Sequence, residues 1–121
     1  MTIVQTGVDA VKQIVLDHFD TFNYGAIGTG STTALSSDTI LETETFRELV
    51  YSTNKLLSEG VYIFTIYLTT IEGNVLIKEI GIFDANTGGN IALRNNIGTD
   101  YTKLSSEEIR IQVAINVEVT V

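Results

Sequence analysis

Hydrophobic and polar residues alternate along the last thirteen positions of the chain, from Ile109 to Val121. Every odd-numbered position there is apolar, and the even-numbered positions are polar apart from Ala114. A period of two is typical of a β-strand with one buried face. A slip of one residue would expose the whole apolar set, so the pattern also specifies the register. We therefore predict a long half-buried strand at this end of the chain.

The middle of the chain predicts further strands. The segment 60–70 is rich in β-branched and aromatic residues on both faces. Such a strand is either central in a sandwich or covered by a neighbouring subunit. The segment 44–57 favours a strand, with a helix as the alternative. Other strands are predicted at residues 19–28, 75–85 and 91–97.

One short helix is predicted near the start of the chain. Val8, Val11, Ile14 and Val15 recur at spacings of three and four, which is typical of an amphipathic helix over residues 7–18. About six strands with short turns and a single helix indicate an antiparallel sheet architecture. We therefore predict a mainly β protein, a jelly-roll-like antiparallel β-sandwich with one N-terminal helix, as a single domain over residues 1–121.

The glycine-rich stretch "YGAIGTG" at residues 24–30 superficially resembles a phosphate-binding loop. Its glycines, Gly25, Gly28 and Gly30, stand in the order G-x-x-G-x-G, whereas dinucleotide-binding loops have G-x-G-x-x-G followed by a helix. No Gly-Lys-Ser/Thr sequence for a Walker loop occurs in the chain. We interpret these glycines as a tight strand-to-loop turn rather than a nucleotide site.

Charge and composition narrow the classes of partner. Seven basic against fifteen acidic residues give a net charge of −8, which disfavours nucleic acid and anionic membranes and is compatible with a basic protein surface. The absence of cysteine excludes disulfides and thiolate chemistry. The first residues lack the basic start and long apolar run of a signal peptide, so we expect none.

The polar residues do not assemble into a recognisable catalytic motif. His18 is the single histidine, and no Gly-x-Ser-x-Gly elbow accompanies it. Two carboxylate pairs, Glu42 with Glu44 and Glu107 with Glu108, are candidates for glycoside hydrolysis. An acidic loop edge explains the first pair equally well, and adjacent residues such as those of the second pair point to opposite faces of a strand. We therefore predict no enzymatic activity, no cofactor and no metal site.

Glu79 and Gly81 stand out within the predicted strand "KEIGIFD". A glycine inside a strand weakens it unless a bulge or a close backbone approach requires the missing side chain. If Glu79 is buried beside that gap, it requires a cationic partner, for which Arg47 and Arg94 are the candidates. We predict a structural ion pair at this position.

Three motifs in a fixed order carry a resemblance to a known family. "YGAIGTG" at 24–30, "DTILETE" at 38–44 and "EIGIFD" at 79–84 resemble motifs of small virion structural proteins from tailed bacteriophages and related archaeal viruses. The likeness extends from about residue 7 to 97. It implies a β-sandwich without catalytic residues, whose motif positions are structural. These positions are Tyr24, Gly28, Gly30, Asp38, Glu79, Gly81 and Asp84.

The resemblance also implies a role and partners. We expect a capsid decoration protein or a tail or fibre-base subunit, made in the host cytoplasm and located in the virion. Its expected partners are itself, as a homotrimer, and other virion proteins such as the major capsid or tail protein. The apolar residues proposed for the trimer interface are Tyr62, Phe64, Ile66 and Leu68.

The alternative is a carbohydrate-binding module, because small β-sandwiches commonly bind glycans. Exposed aromatic rings can stack on sugars, and the chain has no tryptophan. The candidate stacking residues are Tyr51, Tyr62, Tyr67 and Tyr101.

Overall fold

Seven strands form two antiparallel sheets in a computed structural model that describes Thr2 and residues 4–119. Helix α1 (Gln5–His18) precedes them and runs into a 3₁₀ turn at Phe19–Thr21, and a second 3₁₀ turn lies at Leu57–Glu59. The strands are β1 (Tyr24–Gly28), β2 (Glu44–Leu49), β3 (Ser52–Leu56), β4 (Val61–Leu68), β5 (Leu76–Phe83), β6 (Ile91–Thr102) and β7 (Ile109–Asn116).

The two sheets make the predicted sandwich. One sheet has four strands in the order β2-β1-β5-β6, and the other has three in the order β3-β4-β7. Every pair of neighbouring strands is antiparallel. The chain changes sheet after β2, after β4 and after β6. The mainly β fold with one N-terminal helix is therefore confirmed.

The segment 44–57 is two strands in different sheets rather than one. The break lies at Val50 and Tyr51, whose backbone N–H groups donate to carbonyls on opposite sides of the sandwich. Val50 bonds to Asn23 O at 2.8 Å, and Tyr51 bonds to Thr65 O at 2.8 Å. This two-residue crossing between two strands removes the helical alternative.

The main core fills the space between the sheets. Ile27, Ile80 and Ile82 from the four-stranded sheet face β4 across this space. The side chains on the inner face of β4 are at most 1% exposed; they are Tyr62, Phe64, Ile66 and Leu68. The interface role predicted for these four residues is wrong, because their own chain buries them. On the outer face of the strand, Val61, Ile63 and Tyr67 are half-buried.

Helix α1 closes one side of this core. Leu16 is fully buried, and Phe19 in the following 3₁₀ turn packs its ring 5.7 Å from Tyr62 and 6.4 Å from Phe64. The 3₁₀ turn delays the first strand to Tyr24, five residues later than predicted. None of the helices in the described part of the chain has the length and apolar character to cross a bilayer.

The last strand follows the predicted alternation but ends earlier. Strand β7 alternates between half-buried and exposed residues up to Asn116. Val117 extends the ladder by one bond, from its N–H to Gly60 O at 2.7 Å. Val121, the end of the predicted strand, lies outside the described residues.

A third layer covers the other face of the four-stranded sheet. The segment 29–43 between β1 and β2 lies over this face and contributes Leu41, which is buried with Ala26 and Phe83 in a second small core. The three layers are thus the three-stranded sheet, the four-stranded sheet and the loop 29–43, in that order. Asp38 and Glu42 lie in this loop layer, and Glu79 and Arg94 lie in the sheet beneath it.

Candidate functional site

Glu79 and Arg94 form the centre of a buried polar cluster beneath the loop 29–43. Arg94 Nε donates to Glu79 Oε1 at 3.0 Å, and the two side chains are 4% and 0% exposed. Arg94 Nη1 donates to Asp38 Oδ2 at 3.0 Å, and Nη2 donates to Thr32 O at 2.8 Å. The guanidinium therefore joins two strands of the sheet to two points of the loop.

Strand register places these side chains on one face. Glu79 in β5 lies opposite Asn96 in β6, and Gly81 lies opposite Arg94. Residues two apart in a strand share a face, so Glu79, Gly81, Arg94 and Asn96 all point toward the loop. Asn96 adds two bonds to it, accepting from Ala34 N–H at 2.7 Å and donating to the Thr32 carbonyl at 2.9 Å.

The loop reaches Glu79 through its backbone. Three N–H groups donate to the Glu79 carboxylate, from Gly30 at 2.8 Å, Glu42 at 2.9 Å and Thr43 at 2.8 Å. With the Arg94 bond, both carboxylate oxygens are shared among four donors. Glu79 thus fastens both ends of the loop, at Gly30 and at Glu42 and Thr43, to the sheet.

Two glycines of the "GAIGTG" stretch, Gly28 and Gly30, leave room for this carboxylate. A Cβ atom at Gly28 would lie 2.6 Å from Glu79 Oε2, and one at Gly30 would overlap the same oxygen. Glycine is the residue that permits such a close approach. One backbone N–H of this stretch, that of Gly30, therefore binds an anion as a phosphate loop does, but the anion is a side chain of the same protein.

Gly81 makes room for the loop in the same way. A Cβ atom there would lie 2.8 Å from Leu41 Cδ2 and 2.8 Å from a ring carbon of Phe83. Leu41 is 2% exposed and packs into this gap in the sheet surface. Sequence analysis offered a bulge or a close backbone approach to explain Gly81. The structure instead shows the close approach of a loop side chain, and the register shifts of β5 lie elsewhere.

The hydrogen bonds keep the cluster ionised. Burial alone would raise the pKa of Glu79, but the amides of Thr43, Glu42 and Gly30 and the Arg94 guanidinium together lower it below its usual value. The Leu35 amide and Arg94 lower the pKa of Asp38. The four donors occupy the lone pairs of both Glu79 oxygens, and the carboxylate carries no proton to transfer, which argues against general acid–base chemistry by Glu79.

The other motif residues are also placed in structural positions. Asp84 accepts from the Asn90 backbone N–H at 2.7 Å and from its side chain at 3.0 Å, which closes the turn between β5 and β6. Tyr24 packs against the second core. Arg47, the other cation considered for Glu79, instead pairs with Glu44 and lies 3.6 Å from the centre of the Phe83 ring.

The remaining candidate residues are dispersed. Glu42 accepts from the Thr32 hydroxyl at 2.6 Å, whereas Glu44 pairs with Arg47, so these two carboxylates have separate partners. His18 is exposed at the end of α1. Within the described part of the chain, no group of three histidine or acidic side chains could hold a metal ion.

Two of the tyrosines considered for sugar stacking form an exposed cluster. The rings of Tyr51 and Tyr67 lie 5.2 Å apart, and the Arg110 guanidinium lies 4.9 Å from the Tyr67 ring centre. The Tyr67 hydroxyl donates to Glu108 at 2.7 Å. Tyr62, by contrast, is buried, with its hydroxyl bonded to Asp20 at 2.6 Å.

Sequence reasoning missed a pair of carboxyls at the edge of the four-stranded sheet. Glu48 in β2 is half-buried near Glu72, in the connection between β4 and β5. Burial and the neighbouring Glu72 raise the pKa of Glu48 to about 7. No local pattern marks this pair, because it depends on how the β4–β5 connection meets the sheet edge.

The chain matches none of the models of known protein families and none of the curated proteins with which it was compared.

Proposed function

We propose that the chain is a non-enzymatic structural subunit of a tailed-virus particle. In this role it serves as a capsid decoration protein or a tail or fibre-base component, associating with itself and with neighbouring virion proteins. The positions of the motif residues in the structure support this proposal most. Gly28, Gly30, Asp38, Glu79 and Gly81 together fasten one loop to one sheet, which supports an architectural rather than a chemical role for the motifs that resemble those of virion proteins.

The surface of the molecule supports a binding role. Several large apolar side chains are exposed on different elements, among them Ile14 in α1, Ile40 in the loop layer and Ile71 between β4 and β5. The net charge of −8 favours partners with basic surfaces. A subunit that binds the assembled particle more tightly than its separated components stabilises the particle by mass action.

Sedimentation with virus particles tests this proposal. The tagged chain would be expressed during growth of the virus or prophage that encodes it, and the particles separated on a density gradient. We expect the chain to migrate with the particles and to resist removal by a salt wash. A tagged β-sandwich of similar size and charge from an unrelated source is the control. Recovery of the chain solely at the top of the gradient would contradict the proposal.

A carbohydrate-binding role is the second candidate, favoured by the Tyr51 and Tyr67 cluster. Aromatic rings bordered by Arg110 and Glu108 combine a stacking surface with hydrogen-bonding groups, the combination that sugars require. Titration with a glycan panel tests it. We expect saturable binding that is lost in Tyr67→Ala and kept in Leu49→Ala, which removes an exposed side chain from the other sheet. Absence of binding across the panel would exclude this role.

A further inference from the structure

Lys103 is buried without a carboxylate partner. It directly follows β6 and is 1% exposed. A lysine ammonium has three protons to donate, and the two acceptors here are neutral: Asn74 Oδ1 at 2.6 Å and the Leu104 carbonyl at 3.3 Å. Among the described residues, Lys103 forms no ion pair. Lysine is almost never fully buried unless it is paired, so this position requires an explanation.

The backbone holds Lys103 beside Asn74. One hydrogen bond, from the Lys103 N–H to Val75 O at 3.0 Å, extends the ladder between β5 and β6. Asn74 precedes Val75, so the lysine side chain reaches it diagonally across the two strands. The two residues are therefore held together at the open end of the β5–β6 hairpin, opposite the turn at 84–90.

The carboxamide of Asn74 is oriented toward the lysine. Its Nδ2 donates to the Thr70 carbonyl at 2.9 Å, which leaves Oδ1 on the side of Lys103. A C=O bond is about 1.2 Å long, so the Asn74 Cγ lies at most about 3.8 Å from the Lys103 Nζ. Covalent bonds form from separations of about 3–3.5 Å when the two groups are held in place. An amine and a carboxamide in this arrangement are the reactants of an amide exchange.

We propose that Lys103 and Asn74 become joined by an isopeptide bond. The Nζ–Cγ bond forms and the Cγ–Nδ2 bond breaks. Two protons pass from the lysine ammonium to Nδ2, which leaves as ammonium, so the reaction requires no oxidant, reductant or further reactant. Asn74 is exposed, which gives the leaving group a route to solvent. The product amide is neutral, so the reaction removes the unpaired charge from its buried position.

A carboxylate suited to carry these protons lies beside the pair. Glu72 is two residues before Asn74, and the Thr69 N–H donates to its Oε1 at 3.0 Å. This amide lowers the pKa of Glu72 most, and the charge of Lys103 adds to the effect. Glu72 is therefore ionised and close enough to Lys103 to interact with its charge. Glu107 also interacts with that charge, but both of its oxygens already accept hydrogen bonds.

The isopeptide bond would close the β5–β6 hairpin covalently at its open end. A cross-link between distant residues restricts the unfolded chain and so stabilises the folded one. The chain has no cysteine, so a disulfide cannot supply such a link. This inference goes beyond the proposed virion role and does not depend on it.

Intact-mass measurement and peptide mapping of the full chain test the inference. We expect the folded chain to lose the mass of one ammonia molecule during incubation in native buffer, and a chain kept in urea to retain its full mass. A tryptic digest should then contain residues 56–78 linked to residues 95–110, because trypsin does not cleave after an acylated lysine.

Matched variants assign the bond to its two residues. Asn74→Ala and Lys103→Arg should keep their full mass, whereas the controls Asn54→Ala in β3 and Lys78→Arg in β5 should still lose ammonia. Glu72→Gln should slow the loss. An unchanged rate in this variant would overturn the assignment of Glu72 as the proton carrier.

The natural chain decides the inference even if a variant fails to fold. A natural chain that stays folded, as judged by circular dichroism, and keeps its full mass throughout the incubation would overturn the isopeptide bond. Loss of ammonia with separate peptides 56–78 and 95–103 would show that an asparagine had instead cyclised onto its own backbone, and this result would overturn it as well.

Discussion

Arg94 Nε lies 3.0 Å from Glu79 Oε1 in the adjacent strand, and the two side chains together hold the loop 29–43 by hydrogen bonds. A buried ion pair is stable only if the remaining hydrogen-bonding groups of both side chains are satisfied. Here the loop 29–43 supplies those partners. The ion pair and the loop therefore depend on each other.

Glu79→Gln should destabilise the fold strongly. The substitution leaves Arg94 without its buried anion and replaces one of the two acceptor oxygens with an amide. Removing one partner of a buried pair costs about 3–5 kcal/mol of unfolding free energy. Urea denaturation measures this loss. Glu59→Gln, which removes an exposed carboxylate from a 3₁₀ turn, is the control. A loss under about 1 kcal/mol in Glu79→Gln would show that the pair is not the anchor.

Gly81→Ala should displace the loop from the sheet. The added methyl would overlap Leu41, and overpacking of this kind costs about 1–3 kcal/mol. Thermal and urea denaturation should show the loss. Because the added methyl and Leu41 compete for the same space, the losses of Gly81→Ala and Leu41→Ala should be less than additive in the double variant. Gly98→Ala in β6 meets no atom within 4 Å and should be nearly neutral. Equal losses in Gly81→Ala and Gly98→Ala would contradict the close approach.

Glu48 should make the protein more stable in mild acid than in mild base. Its pKa is raised to about 7, so the folded chain binds this proton more tightly than the unfolded chain does. That stability is complete below the unfolded pKa and is lost as the pH rises through about 7. We expect a higher urea midpoint near pH 5.5 than near pH 8.

Glu48→Gln is the matched test of this pH dependence. An amide cannot titrate, so the difference between the two pH values should shrink. Glu44→Gln in the same strand should keep it. An unchanged difference in Glu48→Gln would assign the effect to another group.

Lys55→Gln should loosen α1 without unfolding the sandwich. Lys55 bonds Asp17 and Asp20, and these bonds raise the lysine pKa. Exposed ion pairs contribute little to global stability, so the melting temperature should hardly move. Hydrogen exchange in α1 should nevertheless become faster. Lys78→Gln, which removes a longer 3.8 Å contact to Asp100, is the control and should leave α1 unchanged.

The alternating pattern of residues 109–121 predicted the strand β7 and its buried face, because a period of two is a local property of the chain. Its pairing with β4 was not predicted. The segment 60–70 was equally readable as a strand. The sequence did not show which layer covers the apolar inner face of this strand, because such a face has the same sequence whether its own chain or a neighbouring chain covers it. The structure assigns that layer to the same chain.

The polar cluster was predicted in part. The contrast between Glu79 and its apolar neighbours indicated a buried carboxylate with a basic partner. The choice between Arg47 and Arg94 required the strand order, because β6 adjoins β5 whereas β2 lies one strand further away. The amide donors of the loop lie 36 to 49 residues from Glu79 in sequence, beyond any local pattern.

Fastening the loop 29–43 through a carboxylate rather than through sulfur makes its closure independent of redox conditions. A disulfide would form in an oxidising environment and open in a reducing one. Glu79 and its donors hold the loop equally well in either. Strong acid remains the agent that releases it, because protonation of Glu79 removes the charge that the amides and Arg94 share.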